Sequence, residues 1–230
     1  MPKGKLVNRI VRNPLKIDFH IHSYASNYKD KNKVKNSKIA NIDTLIDRIN
    51  LHKVNAVSIT DHNNFDYELY KILKKEEQND KNSIKLVLPG VEFDVLLNKK
   101  DIHIITLFND KNESKIKKIQ NIIFDTTNNK PNSNNKKFFT ESEYFEVLRK
   151  IDLDVILIAH QKESLGSKKK RQHDINTIGE EYLKKLLFID YFQAYEFNNI
   201  NNELYNKNYI TYKEPAFKNM KFIIGSDNHD

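Results

Sequence analysis

Metal-ligand-type side chains terminate one apolar run after another along this chain, and that pattern limits the folds open to it. The residues are His20, His22, His62, Glu92, His103, His160, Asp227 and His229. Asp18-Phe-His20-Ile-His22 follows Leu15–Ile17, and Asp61-His62 follows the run Ala56–Thr60. Glu92 follows Leu86–Val91, and His103 lies inside Ile102–Phe108. His160 ends the run 154–159, and Asp227 and His229 follow Phe222–Gly225. Short runs rich in Val, Ile and Phe read as strands. One histidine at a strand end is ordinary. Six strand ends rich in imidazole and carboxylate imply a shared mouth where the strands converge. A parallel barrel collects strand ends at one face, where its chemistry lives. The pattern therefore reads as a multinuclear metal hydrolase.

Helical signals alternate with the strands. Ile42, Leu45, Ile46 and Ile49 keep the i, i+3, i+4, i+7 spacing of an amphipathic helix. A second helix is predicted over 66–78, a third over 116–124 and a fourth over 178–188. Thr140 and Glu143 form a Thr-x-x-Glu capping box ahead of a helix predicted over 144–150. Strands are predicted at 15–21, 56–60, 84–92, 102–108, 154–159, 191–196 and 221–225. This alternation argues for a parallel sheet covered by helices, closed into a barrel. The expected organisation is one domain over 1–230. Because the sequence stops one residue after the last candidate ligand, it is expected to be a fragment, or the N-terminal part, of a longer chain.

The absence of cysteine excludes disulfides, thiolate metal sites and a cysteine nucleophile. The N-terminus lacks a signal-peptide core and no apolar run approaches a membrane span, so a soluble, cytoplasmic protein with no membrane partner is expected. A net charge of +8 suits a polyanionic partner such as nucleic acid. Scattered lysines serve generic solubility equally well. The densest basic run, Lys168–Arg171, follows Gly166-Ser167 and suits phosphate steering from a loop near the mouth.

In a regular strand, residues two apart share a face, so His20 and His22 can reach one ion. Imidazole suits Zn, Fe, Mn and similar ions. Asp18 is placed to orient a ligating His through a hydrogen bond. Asp61-His62 on its own reads as an N-cap beside a surface histidine. His103 and His160 on their own read as satisfied core histidines. A carboxylate such as Glu92 can bridge two cations, which a neutral imidazole cannot. Glu196, at the end of its strand, also faces the mouth, as an orienting or substrate-contacting group. His52 and His173 fit no motif and are expected to be exposed.

Taken together and in order, Asp18-x-His20-x-His22, Thr60-Asp61-His62, Gly90-Val-Glu92 and Gly225-Ser-Asp227-x-His229 resemble the PHP (polymerase and histidinol phosphatase) superfamily. His103 and Ala159-His160 fall where that family has its intermediate histidines. The resemblance spans 16–229. It implies a distorted (β/α)7 TIM-like barrel with two or three divalent ions (Mn, Zn or Fe, with Mg also compatible) at the C-terminal face of the strands. By position, one ion takes His20, His22, Glu92 and Asp227. A second shares Glu92 and takes His103 and His160, and a third takes His62 and His229. The chain departs from the family at Asn27, where Asp is frequent, and at Gln161, where Pro is usual.

The activity implied is phosphodiester hydrolysis in nucleic acid or nucleotides by metal-bound hydroxide. Glu92 holds the ions, and His62, His229 or Asp61 serves the leaving group. The alternatives are a phosphomonoesterase of the histidinol-phosphatase type and a catalytically silent module docking a larger ATPase or polymerase. The family also contains fusions to ATPase, SMC-like modules of antiphage type, so a C-terminal or separate ATPase partner is a further expectation.

Overall fold

In a computed structural model, the described residues are 15–26, 33, 39–128, 139–160, 175–179, 181–182, 185–186, 191–196 and 221–227. His229, Asn27, Gln161, His173 and the basic run 168–171 lie outside them.

The chain folds as a mixed α/β structure with two sheets among the described residues. The first contains β1 (Ile17–Ile21), β2 (Ala56–Ile59) and β3 (Leu86–Val87), all parallel. The second runs in the order β6-β4-β5-β7-β8-β9. Its members are β4 (Gly90–Leu97), β5 (Lys100–Phe108), β6 (Phe139–Thr140), β7 (Val155–His160), β8 (Ala194–Glu196) and β9 (Phe222–Ile223). An isolated parallel bridge, His62 to Glu92, joins the end of β2 to β4. At the other margin, Ser226 donates from its backbone to Asp18 Oδ1 (3.1 Å) and from its hydroxyl to the His20 carbonyl (3.2 Å). These links draw the sheets together into an open ring. No continuous ladder closes a barrel among the described residues.

The all-parallel alternation expected from the sequence needs correction at β4 and β5. The run 84–92 is two strands broken at Leu88-Pro89, and β5 is antiparallel to both β4 and β7. The cause is a two-residue turn, Asn98-Lys99, with φ of 44° and 62°. Two left-handed residues in succession match the twist of a tight hairpin, so the chain reverses with no crossover helix.

Among the described residues, the named helices are α1 (Ile42–Leu51), α2 (Tyr67–Lys75), α3 (Glu113–Ile116), α4 (Ile119–Asn128) and α5 (Glu141–Ile151). Their starts follow local chemistry. Asp66 caps α2 by accepting from Leu69 N, and Asn112 caps α3 by accepting from Lys115 N. The capping box at Thr140 and Glu143 forms in both directions, three residues earlier than the helix was expected to begin.

Strand alternation builds two apolar layers. Val91, Phe93 and Val95 of β4, Ile102 and Ile104 of β5, and Leu157 and Ala159 of β7 share the main core with Tyr144, Val147 and Ile151 of α5. Inside that layer, Thr106 and the Tyr144 hydroxyl satisfy one another at 2.8 Å. The opposite face carries a smaller cluster of Ile105, Leu107, Ile158 and Ala194, flanked by Phe19, Leu88 and Ile223. On three strands, the residue two positions beyond this floor toward the mouth is ionisable: His103 from Ile105, His160 from Ile158, and Glu196 from Ala194. The floor thereby sets the level of the site.

Candidate metal centre

Each strand delivers its donor for a local reason. The β1–β2 register slips between Asp18 and Ile21, so three steps on β1 match two on β2. Such a bulge re-aims side chains, and His20 within it and His22 just past it converge, with Nε2 atoms 3.1 Å apart. Glu92 and Asp94 alternate with Val91, Phe93 and Val95, which places both carboxylates on the site face of β4. Asp94 lies opposite His103 in the ladder, and His160 lies beside Glu196. Asp227 adopts φ 49°, a left-handed conformation that Asp tolerates better than most residues.

Glu92 sits at the centre, 1% exposed. Its Oε2 lies 3.4 Å from His20 Nε2, 3.4 Å from His22 Nε2 and 3.0 Å from His62 Nδ1. Its Oε1 lies 2.8 Å from His103 Nδ1 and 3.9 Å from His160 Nδ1. Neither oxygen receives a hydrogen bond of acceptable geometry. The His103 contact has the length of a hydrogen bond without its direction. A buried carboxylate so placed carries a large desolvation cost, unless a cation takes the space between the donors.

The distances test that idea. Two donors each about 2.1 Å from a shared ion lie roughly 3.0 Å apart at a right angle and roughly 3.4 Å apart at the tetrahedral angle. His20 Nε2 and His22 Nε2 lie 3.4 Å and 3.5 Å from Asp227 Oδ1. With the 3.1 Å separation above, His20, His22 and Asp227 fall on or near that range, and Glu92 Oε2 stands 3.4 Å from both imidazoles. His20, His22 and Asp227 form a group able to hold one divalent cation, with Glu92 beside it. The other half of the cluster is less regular. His103 and His160 flank Glu92 Oε1, while His103 Nε2 lies 3.0 Å and His62 Nδ1 3.8 Å from Asp94 Oδ1. Groups able to hold an ion there are Glu92-His103-His160, His62-Asp94-His103 and His20-His160-Glu196.

The electrostatics match a crowd of buried, opposed groups. Burial opposes charge on Glu92, yet His62, His103 and His20 hold its carboxyl well below the usual range. Burial likewise opposes charge on His20, and the Glu196 and Glu92 carboxylates outweigh it, raising the imidazole well above its ordinary value. Burial pushes His22 down to about 4. His103 rises to about 9, burial being overcome by Glu92 and Asp94. Burial lowers His160. Glu196 falls to about 2, with His20 outweighing burial.

His20, His22, His62, Glu92, His103, His160 and Asp227 thus come together as the spacing implied. The placement of His229 lies outside the described residues. The pairing of His62 with His229 alone is broadened, because His62 also joins Glu92 and Asp94. Asp61 is buried, and both of its oxygens are engaged by Ser23, from N and from Oγ, each at 2.6 Å. Burial raises its carboxyl to about 7. Asp18 does not hold the His20 ring; its Oδ1 accepts from the backbone of His20 and Ser226. The ring is held by Glu196 Oε1, 2.7 Å from His20 Nδ1. His52 is exposed at the end of α1. Sequence reasoning missed Asp94. Its signal was the two-residue step from Glu92, hidden because the strand was expected to stop there.

No protein-family model matches the sequence, and no curated protein matches it. Among solved structures, the chain is similar to a Bifidobacterium adolescentis protein described as a candidate metal-dependent phosphoesterase. That alignment has a TM-score of 0.55 and 13% identity over 95% of this chain and 89% of the other. The two share a fold. An amidohydrolase from Chromobacterium violaceum with bound sulfate aligns at a TM-score of 0.46 and 12% identity over 93% of this chain and 87% of the other, too low to bear on the fold. No helix among the described residues is long and apolar enough to cross a membrane.

Proposed function

We propose that this chain is a metal-dependent phosphoesterase of the PHP type, cleaving phosphodiester bonds in nucleic acid or nucleotides. The observation that carries the reading is Glu92: a buried carboxylate with no hydrogen bond, faced by five imidazoles at 2.8–3.9 Å. His20, His22, Glu92 and Asp227 would hold one divalent ion, and Glu92, His103 and His160 would hold a second. His62, with Asp94 or His229, offers a third position. Ions bound there supply Lewis acidity toward phosphoryl oxygens and a water activated near neutral pH.

The chain's own residues do the rest. Glu92 spans both halves of the cluster and fixes their spacing. Asp61 grips Ser23 and so holds the loop that follows His22. The leaving oxygen would be served by His62 or His229 together with the third position, or by Asp61. A net charge of +8 suits a polyanionic substrate and is the ground for reading a nuclease ahead of a small-monoester phosphatase.

Hydrolysis of a generic phosphodiester and a generic monoester is the test, with added Mn, Zn, Mg or none, against His20→Ala. Metal-dependent diester cleavage lost in the variant is expected. Monoester-only cleavage would move the assignment to a small-molecule phosphatase, and silence with every metal would leave a docking module.

A further inference from the structure

Glu196 is fully buried at the end of β8, and its two oxygens meet different surroundings. Oε1 is 2.7 Å from His20 Nδ1 in good hydrogen-bond geometry. With a cation bound, that bond would hold the proton of His20 on Nδ1 and leave the Nε2 lone pair for the point shared with His22, Glu92 and Asp227. Oε2 is buried and receives no hydrogen bond. It lies 3.3 Å from His160 Nδ1, its neighbour across the β7–β8 pair.

The two separations differ in kind. The 2.7 Å contact is a hydrogen bond, and it is shorter than the roughly 3.0–3.4 Å expected of two donors on one ion. The 3.3 Å contact falls in that range and lacks hydrogen-bond direction. The backbone is shaped around this carboxylate. A Cβ on Gly225 would stand 2.2 Å from Glu196 Oε1 and 2.6 Å from the His20 Cβ. Any side chain at position 225 would expel Glu196 from its place against His20.

We propose that Glu196 is a second shared carboxylate of the metal centre, clamping His20 through Oε1 and ligating, with His160, the second ion through Oε2. Glu92 and Glu196 then each tie the two ion positions together, both reaching His20 and His160. The proposal rests on the metal-centre reading above and adds a donor to it. It makes the two positions unequal in their need of Glu196. The first needs only the clamp, and the second needs the oxygen itself.

The test is titration of the metal-stripped chain with Mn by calorimetry, with elemental analysis after gel filtration. Wild type is expected to bind at least two ions. Glu196→Gln keeps an amide oxygen for His20 Nδ1 and offers a much poorer second donor. It is expected to retain the first ion and to lose about 10–100-fold or more in affinity for the second. Glu196→Ala is expected to weaken both. Circular dichroism and melting of the metal-free variants report folding separately. Two ions bound by Glu196→Gln at wild-type affinity would overturn the role of Glu196 alone. A wild type that binds no divalent ion would overturn the metal centre itself. If the variants do not fold, anomalous diffraction from Mn-soaked wild-type crystals decides. A second peak in contact with both His160 and Glu196 is expected, and one touching His160 but remote from Glu196 would refute the proposal.

Discussion

The floor and the roof of one sheet face obey opposite rules, although the same strands build both. The floor (Ile105, Leu107, Ile158 and Ala194) is apolar, buried and closely packed. The roof, two residues further along those strands, buries His103, His160 and Glu196, with Glu92 and Asp94 from β4. Floor residues stabilise the fold by leaving water, at about 25 cal/mol per Å² of apolar surface. Roof residues carry a desolvation cost that opposes folding, and the opposed charges of neighbouring imidazoles and carboxylates offset it. A chain keeps such a roof for its chemistry. Stability and function are therefore separable here by a shift of two residues along a strand.

The sharpest way to break this comparison is at Glu92. Glu92→Gln is expected to reduce metal content and hydrolysis to background, while the metal-free protein still folds and melts cooperatively. Elemental analysis, diester assays and thermal melts check the three parts. Loss of the cooperative melt would mean that the roof is structural.

The complementary change is in the floor. Ile158→Ala should cost about 2–5 kcal/mol in chemical denaturation, with metal stoichiometry retained in the folded fraction. Next is Asp94, which faces His103 Nε2 at 3.0 Å and accepts from Asn63 at 3.1 Å. Asp94→Asn should weaken divalent-ion binding about 10–100-fold, read by calorimetry, with little change in the metal-free melt.

Two changes remote from both layers are expected to be smaller and to leave metal affinity untouched. Thr140→Ala removes the cap of α5 and should cost about 1 kcal/mol. Lys99→Gly relieves a left-handed lysine in the β4–β5 turn and should stabilise by about 1 kcal/mol. Denaturant midpoints measure both.

How much of this was legible depends on how far each signal reaches. The clustered residues His20, His22, His62, Glu92, His103, His160 and Asp227 were readable because each breaks or ends an apolar run, and a strand presents such a break at a fixed height. The helices at 42 and 66 and the capping box at 140 were readable because capping is local. The reversal into β5 was not. A tight hairpin announces itself by Asn-Gly or Asp-Gly, and Asn98-Lys99 carries only half of that signal. With the turn unseen, β4 was expected to end at Glu92, and Asp94 went with it. The clamp on His20 was assigned to Asp18, its neighbour in sequence. That carboxylate accepts from the backbone of His20 and Ser226, and Glu196, 176 residues away, takes the ring. Pairings of that length are set by strand order, which local spacing does not encode.

Anomalous diffraction from crystals soaked in Mn or Zn tests the central claim most directly. The account predicts a peak in contact with His20 Nε2, His22 Nε2, Asp227 and Glu92, and a further peak on the other oxygen of Glu92. Crystals at saturating metal with no peak beside Glu92, or with Glu92 turned away from both His20 and Asp227, would contradict it.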